Sequence, residues 1–168
     1  MAYTRGHVIP WWDDQFKKLN YLHDSWRNDL DIKRWNITGY HGMKYEGGVY
    51  SMQQDMPKYA EPFFTLFEWD HVTLSFFRMK TSNILPMHKD YYNKYSELYN
   101  IKDRNLIIRA IVFLEDWKSG HCFEIDNTPI TQWRAGDWVS WLFDTPHMAA
   151  NIGVEDRYTL QITGVSKK

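Results

Sequence analysis

QWRAGDWVSWLFDTPHMAANIGVEDRYTLQITG, residues 132–164, reads as three short strands and the turns between them. DWVSWLF (137–143), HMAANI (147–152) and RYTLQITG (157–164) are the strands. Ala-Gly-Asp at 135–137, Asp-Thr-Pro at 144–146 and Gly153 are the turn signals. The last strand alternates sharply. Arg157, Thr159, Gln161 and Thr163 share one face, and Tyr158, Leu160 and Ile162 share the other. If the apolar face packs on another layer, the polar face looks inward. A polar interior is costly unless something polar binds there. An exposed edge strand would show the same alternation.

The same texture extends upstream. FFTLFEW (63–69), HVTLSFFRMK (71–80), LPMHKD (85–90), NLIIRAIVFLED (105–116) and HCFEID (121–126) are further candidate strands. Ser-Gly at 119–120 and Asp-Asn at 126–127 separate them. About eight short strands after a helical start predict a mainly β jelly roll backed by an N-terminal helix. That helix is expected within residues 10–35, with room for one break, where Trp12, Phe16, Leu19, Leu22, Trp26 and Leu30 recur in steps of three and four. Asp13 and Asp14 stand where carboxylates cap a helix start. Residues 36–62, with Gly39, Gly42, Gly47, Gly48 and Pro57, read as irregular connection. Residues 1–168 are expected to form a single domain, with 1–62 as helical support and connection and 63–168 as the jelly-roll core. The stretch from Tyr91 to Asn105 holds Tyr91, Tyr92, Tyr95 and Tyr99. It reads either as a lid or as an exposed amphipathic helix.

Composition narrows the function. Aromatic residues make up 17% of the 168, nine of them Trp, which promises a ring-rich core or cleft. Twenty basic and 21 acidic residues leave a formal charge of −1. That balance gives no general pull toward nucleic acid or an anionic membrane. A single cysteine, Cys122, permits no intrachain disulfide and points to a reducing, cytoplasmic setting. The opening residues show no apolar signal region, and no run of about 18 apolar residues spans a bilayer.

His88-Lys89-Asp90 ends a predicted strand, and residues two apart in extended chain point to one side. With seven His and 21 acidic residues, roughly one such triplet is expected by chance. Two further residues sharpen it. His147 lies 59 positions downstream, and Arg157 ten beyond that. Two imidazoles and a carboxylate on one face of a metal form the facial triad of non-haem iron oxygenases, which leaves three coordination positions open. A bidentate 2-oxo acid fills two and O2 the third. A neighbouring arginine can then fork onto the acid's distal carboxylate.

On these residues, His88 to Gly164 resembles the Fe(II)/2-oxoglutarate-dependent oxygenase superfamily, whose fold is the double-stranded β-helix, a cupin-like jelly roll. Residues 132–164 look most like its aspartyl/asparaginyl β-hydroxylase branch: a Trp-x-x-Gly turn at Trp133–Gly136, an apolar strand, Phe143-Asp144, His147, and Arg157 ten positions later. The match covers a little under half the chain. One departure is Asp90, since several members of that branch lack the carboxylate ligand. The resemblance implies that His88, Asp90 and His147 ligate Fe(II), and that Arg157 and Thr159 hold the 2-oxoglutarate C5 carboxylate. It places Arg109 near the co-substrate. The implied activity is a dioxygenase that hydroxylates a free or peptide-borne amino-acid side chain, with release of succinate and CO2.

Other readings stand beside these. Arg109, inside an apolar strand, could pair with Glu124 or Asp126, and Arg157 with Glu155 or Asp156. His121 reads as a surface residue or a neighbour of the site, Cys122 as a small buried group, and Trp133, Trp138 and Trp141 as mainly core. A cupin-like metal enzyme using no 2-oxo acid, or a non-catalytic jelly-roll binding module, are the rival functions.

Overall fold

The computed structural model describes residues 3–24, 29–39, 49–52 and 55–167. Trp26 of the expected helix, and Gly42, Gly47 and Gly48 of the expected connection, lie outside the described residues. In chain order the elements are β1 (Tyr3–His7), a 3-10 helix (Asp14–Lys18), β2 (Tyr21–Asp24), α1 (Asp29–Ile37), β3 (Val49–Met52) and a second 3-10 helix (Lys58–Thr65). Then follow β4 (Trp69–Met79), β5 (Asn83–His88), α2 (Asn93–Leu98), a third 3-10 turn (Arg104–Leu106), β6 (Ile107–Phe113), β7 (His121–Ile125), β8 (Thr128–Ile130), β9 (Asp137–Leu142), β10 (His147–Asn151) and β11 (Arg157–Ser166).

The strands form two sheets, of order β1-β9-β6-β11-β4-β3-β2 and β5-β10-β7-β8. From β4 onward the chain passes repeatedly from the large sheet to the small one and back. That alternation is the double-stranded β-helix, or jelly roll, that the sequence predicts. β5 and β8, the two edges of the small sheet, carry Pro86 and Pro129. A ring without an N–H is tolerated at an edge and not in a central strand. At one rim, Gly120 has φ +88 and lies so close to Gly153 that an added Cβ would meet its backbone nitrogen at 2.2 Å.

The two faces of β11 are both buried. Leu160 and Ile162 look outward and pack with Phe76, Ala110 and Val112 of the large sheet under Trp12, Phe16, Tyr21, Ala60 and Phe63. Between the sheets lie Met79, Phe113, Phe123, Ile125, Ile130, Trp133, Val139, Trp141 and Ala149. The molecule therefore has three layers: an N-terminal cover, the large sheet and the small sheet. No described helix is long and apolar enough to cross a membrane.

Three expectations need correction. Residues 10–35 do not form one amphipathic helix. Asp13 caps only a short 3-10 turn, its carboxylate accepting from the Gln15 backbone at 2.9 Å. The chain then extends, because β2 gains a ladder by pairing with β3. Trp12 and Phe16 do face the core, whereas Leu22 and Leu30 are exposed. Second, the start of FFTLFEW is helical. Pro57 and Pro62 cannot donate to a ladder, and the 3-10 helix that Pro57 caps and Pro62 sits within places Phe63 under Trp11 and Trp12, at ring-centroid distances of 4.5 and 5.1 Å. Third, residues 1–62 are more than helical support and connection, since they also supply three strands of the large sheet. The 91–99 segment does contain a short helix, α2. Its Tyr95 hydroxyl donates to the His71 carbonyl at 2.6 Å, and Tyr99 stacks on the His71 ring.

This arrangement separates two neighbouring apolar residues. Phe16 is 1% exposed and Leu22 50% exposed. Phe16→Ala is expected to cost about 3–5 kcal/mol in urea unfolding, and Leu22→Ala less than about 0.5 kcal/mol. A continuous helix over 10–35 would make both expensive.

Candidate metal centre and anion pocket

His147, the first residue of β10, pairs directly with His88, the last of β5. Just beyond them the register slips: Ala149 faces Leu85, so Pro86 and Met87 together oppose Met148. Such a bulge re-aims the side chain beside it. The Pro86 carbonyl accepts from His88 Nδ1 at 2.7 Å, and the Thr145 carbonyl accepts from His147 Nδ1 at 3.0 Å. A carbonyl can only accept, so both rings carry their proton on Nδ1 and turn an Nε2 lone pair away from the backbone.

Asp90 completes the group. The donor atoms of His88, Asp90 and His147 lie within 4.8 Å of one another, and His147 Nε2 is 3.3 Å from Asp90 Oδ2. Nε2 of a neutral imidazole and a carboxylate oxygen at that separation repel unless a cation lies between them. Donor–metal bonds of about 2.0–2.2 Å meeting at right angles would set donors roughly 3 Å apart, so the set fits one divalent ion. Charge agrees with geometry. Burial, then the nearby His147, pushes the His88 ring down to about 3, which keeps it neutral as a ligand must be. Burial alone would raise the Asp90 carboxyl, but the Arg109 guanidinium, followed by His147, holds it well below the usual carboxylate range.

Aromatic residues fix the histidines. Trp141 packs on His147 with ring centroids 4.8 Å apart, and Trp35 of α1 stands edge-on to His88. Trp35 Nε1 and Arg34 both donate to the Met87 carbonyl, at 3.0 and 2.7 Å, so α1 docks against the end of β5.

Arg157 lies on the inner face of β11 and is 4% exposed. Its Cζ lies 5.5 Å from the Trp133 ring centroid and 5.9 Å from those of Phe113 and Phe123. Nε and one terminal nitrogen find no acceptor among the described residues. Asp156 instead pairs with Arg78 at 3.8 Å, and Glu155 with Lys118 at 2.8 Å. Burial pushes the guanidinium down to about 10, where it remains cationic at neutral pH. Thr159, two residues on, is buried on the same face. A caged cation with unmet donors could hold an anion.

Arg109 meets neither Glu124 nor Asp126. It forms an ion pair with Asp90, and its Nε donates to Thr163 Oγ1 at 3.4 Å. His121 is deeply buried rather than at the surface, its Nε2 donating to the Glu155 carbonyl at 3.0 Å. Cys122 is half-buried. The ring cage around Arg157, the α1 contact with Met87 and the role of Tyr92 beside Asp90 escape a reading of the sequence. Tyr92 stands two residues after Asp90, and that proximity was the one available signal.

No family model matches the chain, and no curated protein matches it. Solved structures do. A Pseudomonas putida prolyl-4-hydroxylase superposes with a TM-score of 0.58 at 12% identity, covering 99% of this chain and 93% of that one. KdgF from Halomonas matches with a TM-score of 0.45 at 9% identity, over 75% of this chain and 86% of its own. A cupin domain from Schizosaccharomyces pombe gives 0.45 at 8% identity, over 76% and 72%. At these identities the likeness is one of fold. The chain is a jelly-roll protein whose two buried histidines and half-buried Asp90 form a group able to hold a metal ion.

An unpaired buried cation is a burden on folding. Arg157→Met keeps most of the volume and removes the charge. It is expected to leave stability unchanged or raise it by up to about 4 kcal/mol, as buried charges replaced by packed apolar groups do. Clear destabilisation in urea unfolding would show that the guanidinium has a native partner holding the fold.

Proposed function

We propose that the chain is an Fe(II)/2-oxoglutarate-dependent oxygenase that hydroxylates an amino-acid side chain, free or within a peptide. One observation carries this reading: the His-Asp-His group shares a barrel interior with a caged guanidinium that has unmet donors. A cupin-type metal enzyme acting on an uncharged substrate needs the first feature and has no use for the second. In this reading His88, Asp90 and His147 hold the iron, and Arg157, with Thr159 beside it, receives the distal carboxylate of 2-oxoglutarate. When bound, iron and co-substrate supply O2-dependent decarboxylation to succinate and CO2, coupled to oxidation of a substrate C–H bond. The chain's own work is positional. The Pro86 and Thr145 carbonyls aim the imidazoles. Trp133, Phe113 and Phe123 keep water from the Arg157 ion pair, which strengthens it. The likeness of residues 132–164 to the aspartyl/asparaginyl β-hydroxylase branch supports an amino-acid side chain as substrate. The single cysteine fits a reducing compartment, where ferrous iron persists.

Iron-loaded protein is expected to turn over 2-oxoglutarate slowly even without its prime substrate, with succinate formed in step with O2 consumed. His88→Ala and His147→Ala should abolish this while the fold persists by circular dichroism. Metal binding without any 2-oxoglutarate affinity would favour the cupin-type enzyme, and no metal binding would favour a non-catalytic module.

Arg157 gives a sharper test. Loss of one partner of a buried charge pair costs about 2–5 kcal/mol, and about 1.4 kcal/mol is a factor of ten. Arg157→Ala should therefore weaken 2-oxoglutarate roughly 30-fold to several thousand-fold, with Arg157→Lys between. Pyruvate lacks the distal carboxylate, so its weaker binding should barely change. Parallel loss of metal, pyruvate and 2-oxoglutarate binding would mean that Arg157 supports the fold instead.

A further inference from the structure

We propose that Arg109, backed by Tyr92, is the positioning residue for the Asp90 ligand; this rests on the metal-centre reading above. The two histidines are placed by strand register and by backbone carbonyls. Asp90 has no such support, since it lies two residues past β5 in a segment without regular structure. A ligand on irregular backbone needs its orientation set by side chains.

Arg109 meets that need from the opposite sheet. It is rooted in β6, near the middle of the large sheet, and reaches across the interior to pair with Asp90. The guanidinium is itself held on two further sides. Its Nε donates to Thr163 Oγ1 of β11 at 3.4 Å, and its Cζ lies 4.6 Å from the Tyr92 ring centroid. Tyr92 closes the loop, because its hydroxyl lies 3.4 Å from Asp90 Oδ2. Its backbone sits at φ +54, the left-handed region that an aromatic residue rarely adopts. That conformation turns the side chain back, so that one residue supports both the arginine and the carboxylate. Strained backbone of this kind persists where surrounding contacts demand it. The result is a three-residue clamp tying the ligand loop of the small sheet to the large sheet.

The clamp is tested by Co2+ titration, followed through the d–d absorption of the bound ion. The samples are wild type, Arg109→Met, Arg109→Lys, Tyr92→Phe and His147→Ala, with thermal unfolding of each before metal is added. Arg109→Met is expected to weaken Co2+ by about 10–100-fold, the usual cost of losing a group that orients a ligand, and to alter the d–d bands. Arg109→Lys should recover part of the affinity, and Tyr92→Phe should lose a few-fold. The affinity of Co2+-saturated protein for 2-oxoglutarate should stay close to that of wild type. Tighter Co2+ binding in Arg109→Met would overturn the proposal, because the arginine would then merely compete with the ion for the carboxylate. Unchanged Co2+ binding with lost 2-oxoglutarate affinity would overturn it too, and would place Arg109 on the co-substrate. If Arg109→Met does not fold, Tyr92→Phe decides, and wild-type affinity and spectrum in that variant sink the clamp. His147→Ala separates the two levels: wild-type Co2+ binding there would refute the metal centre itself.

Discussion

A guanidinium surrounded by rings on the inner face of β11 is the constraint to which the rest of this barrel answers. Burying a charge without a partner is unfavourable, and the surroundings of Arg157 ease that cost only in part through its contacts with Trp133, Phe113 and Phe123. The same strand cannot bring its other face to water, because Leu160 and Ile162 are apolar. β11 therefore needs cover on both sides. The small sheet closes over the polar face, and the N-terminal segment with the Lys58–Thr65 helix closes over the apolar one. The N-terminal segment is thus no appendage of the jelly roll but the third layer that allows a charged strand to be central.

The metal group depends on a different device. Antiparallel pairing alone sets His88 opposite His147, but pairing does not choose which ring nitrogen faces inward. The Pro86 and Thr145 carbonyls choose it. Pro86 matters twice, since it donates nothing to the ladder at the bulge and leaves a carbonyl free to take the imidazole proton. Trp141 and Trp35 then limit the rings' rotation. A neutral His88 and a second imidazole anchored through Nδ1, beside a strongly acidic carboxylate, form a donor set for a cation whichever reaction follows.

Much of this was legible in the sequence because it rests on period-two alternation. The polar and apolar faces of 157–163 could be assigned from residue types alone, and the structure places them as read. The strands from β4 to β11 were likewise visible, apart from the three-residue β8, too short to show a pattern. The first 62 residues misled for a physical reason. Apolar side chains spaced by three and four suit a helix, but they equally suit a helical turn followed by a strand that crosses the same core. Phe16 lies in the turn and Tyr21 in the strand, while Leu22 of the spaced set faces outward. The ion pair of Arg109 with Asp90 was hidden because it joins two sheets through a loop whose course no local pattern encodes. Glu124 and Asp126 were nearer in sequence, and Asp90 is nearer in space.

The prolines at the two margins of the small sheet have a consequence of their own. An edge strand offers a row of free backbone donors and acceptors to any other extended chain, and that is how sheets join into larger assemblies or aggregates. Pro86 in β5 and Pro129 in β8 each interrupt that row. The bulge at Pro86 breaks the ladder further. The small sheet is thus sealed against growth at both ends, one of them beside the metal group. Among the described residues the large sheet ends on β1 and β2, Tyr3–His7 and Tyr21–Asp24, which contain no proline. Any strand-by-strand pairing with another chain would meet an edge free of proline at these margins and not at the strand that carries His88.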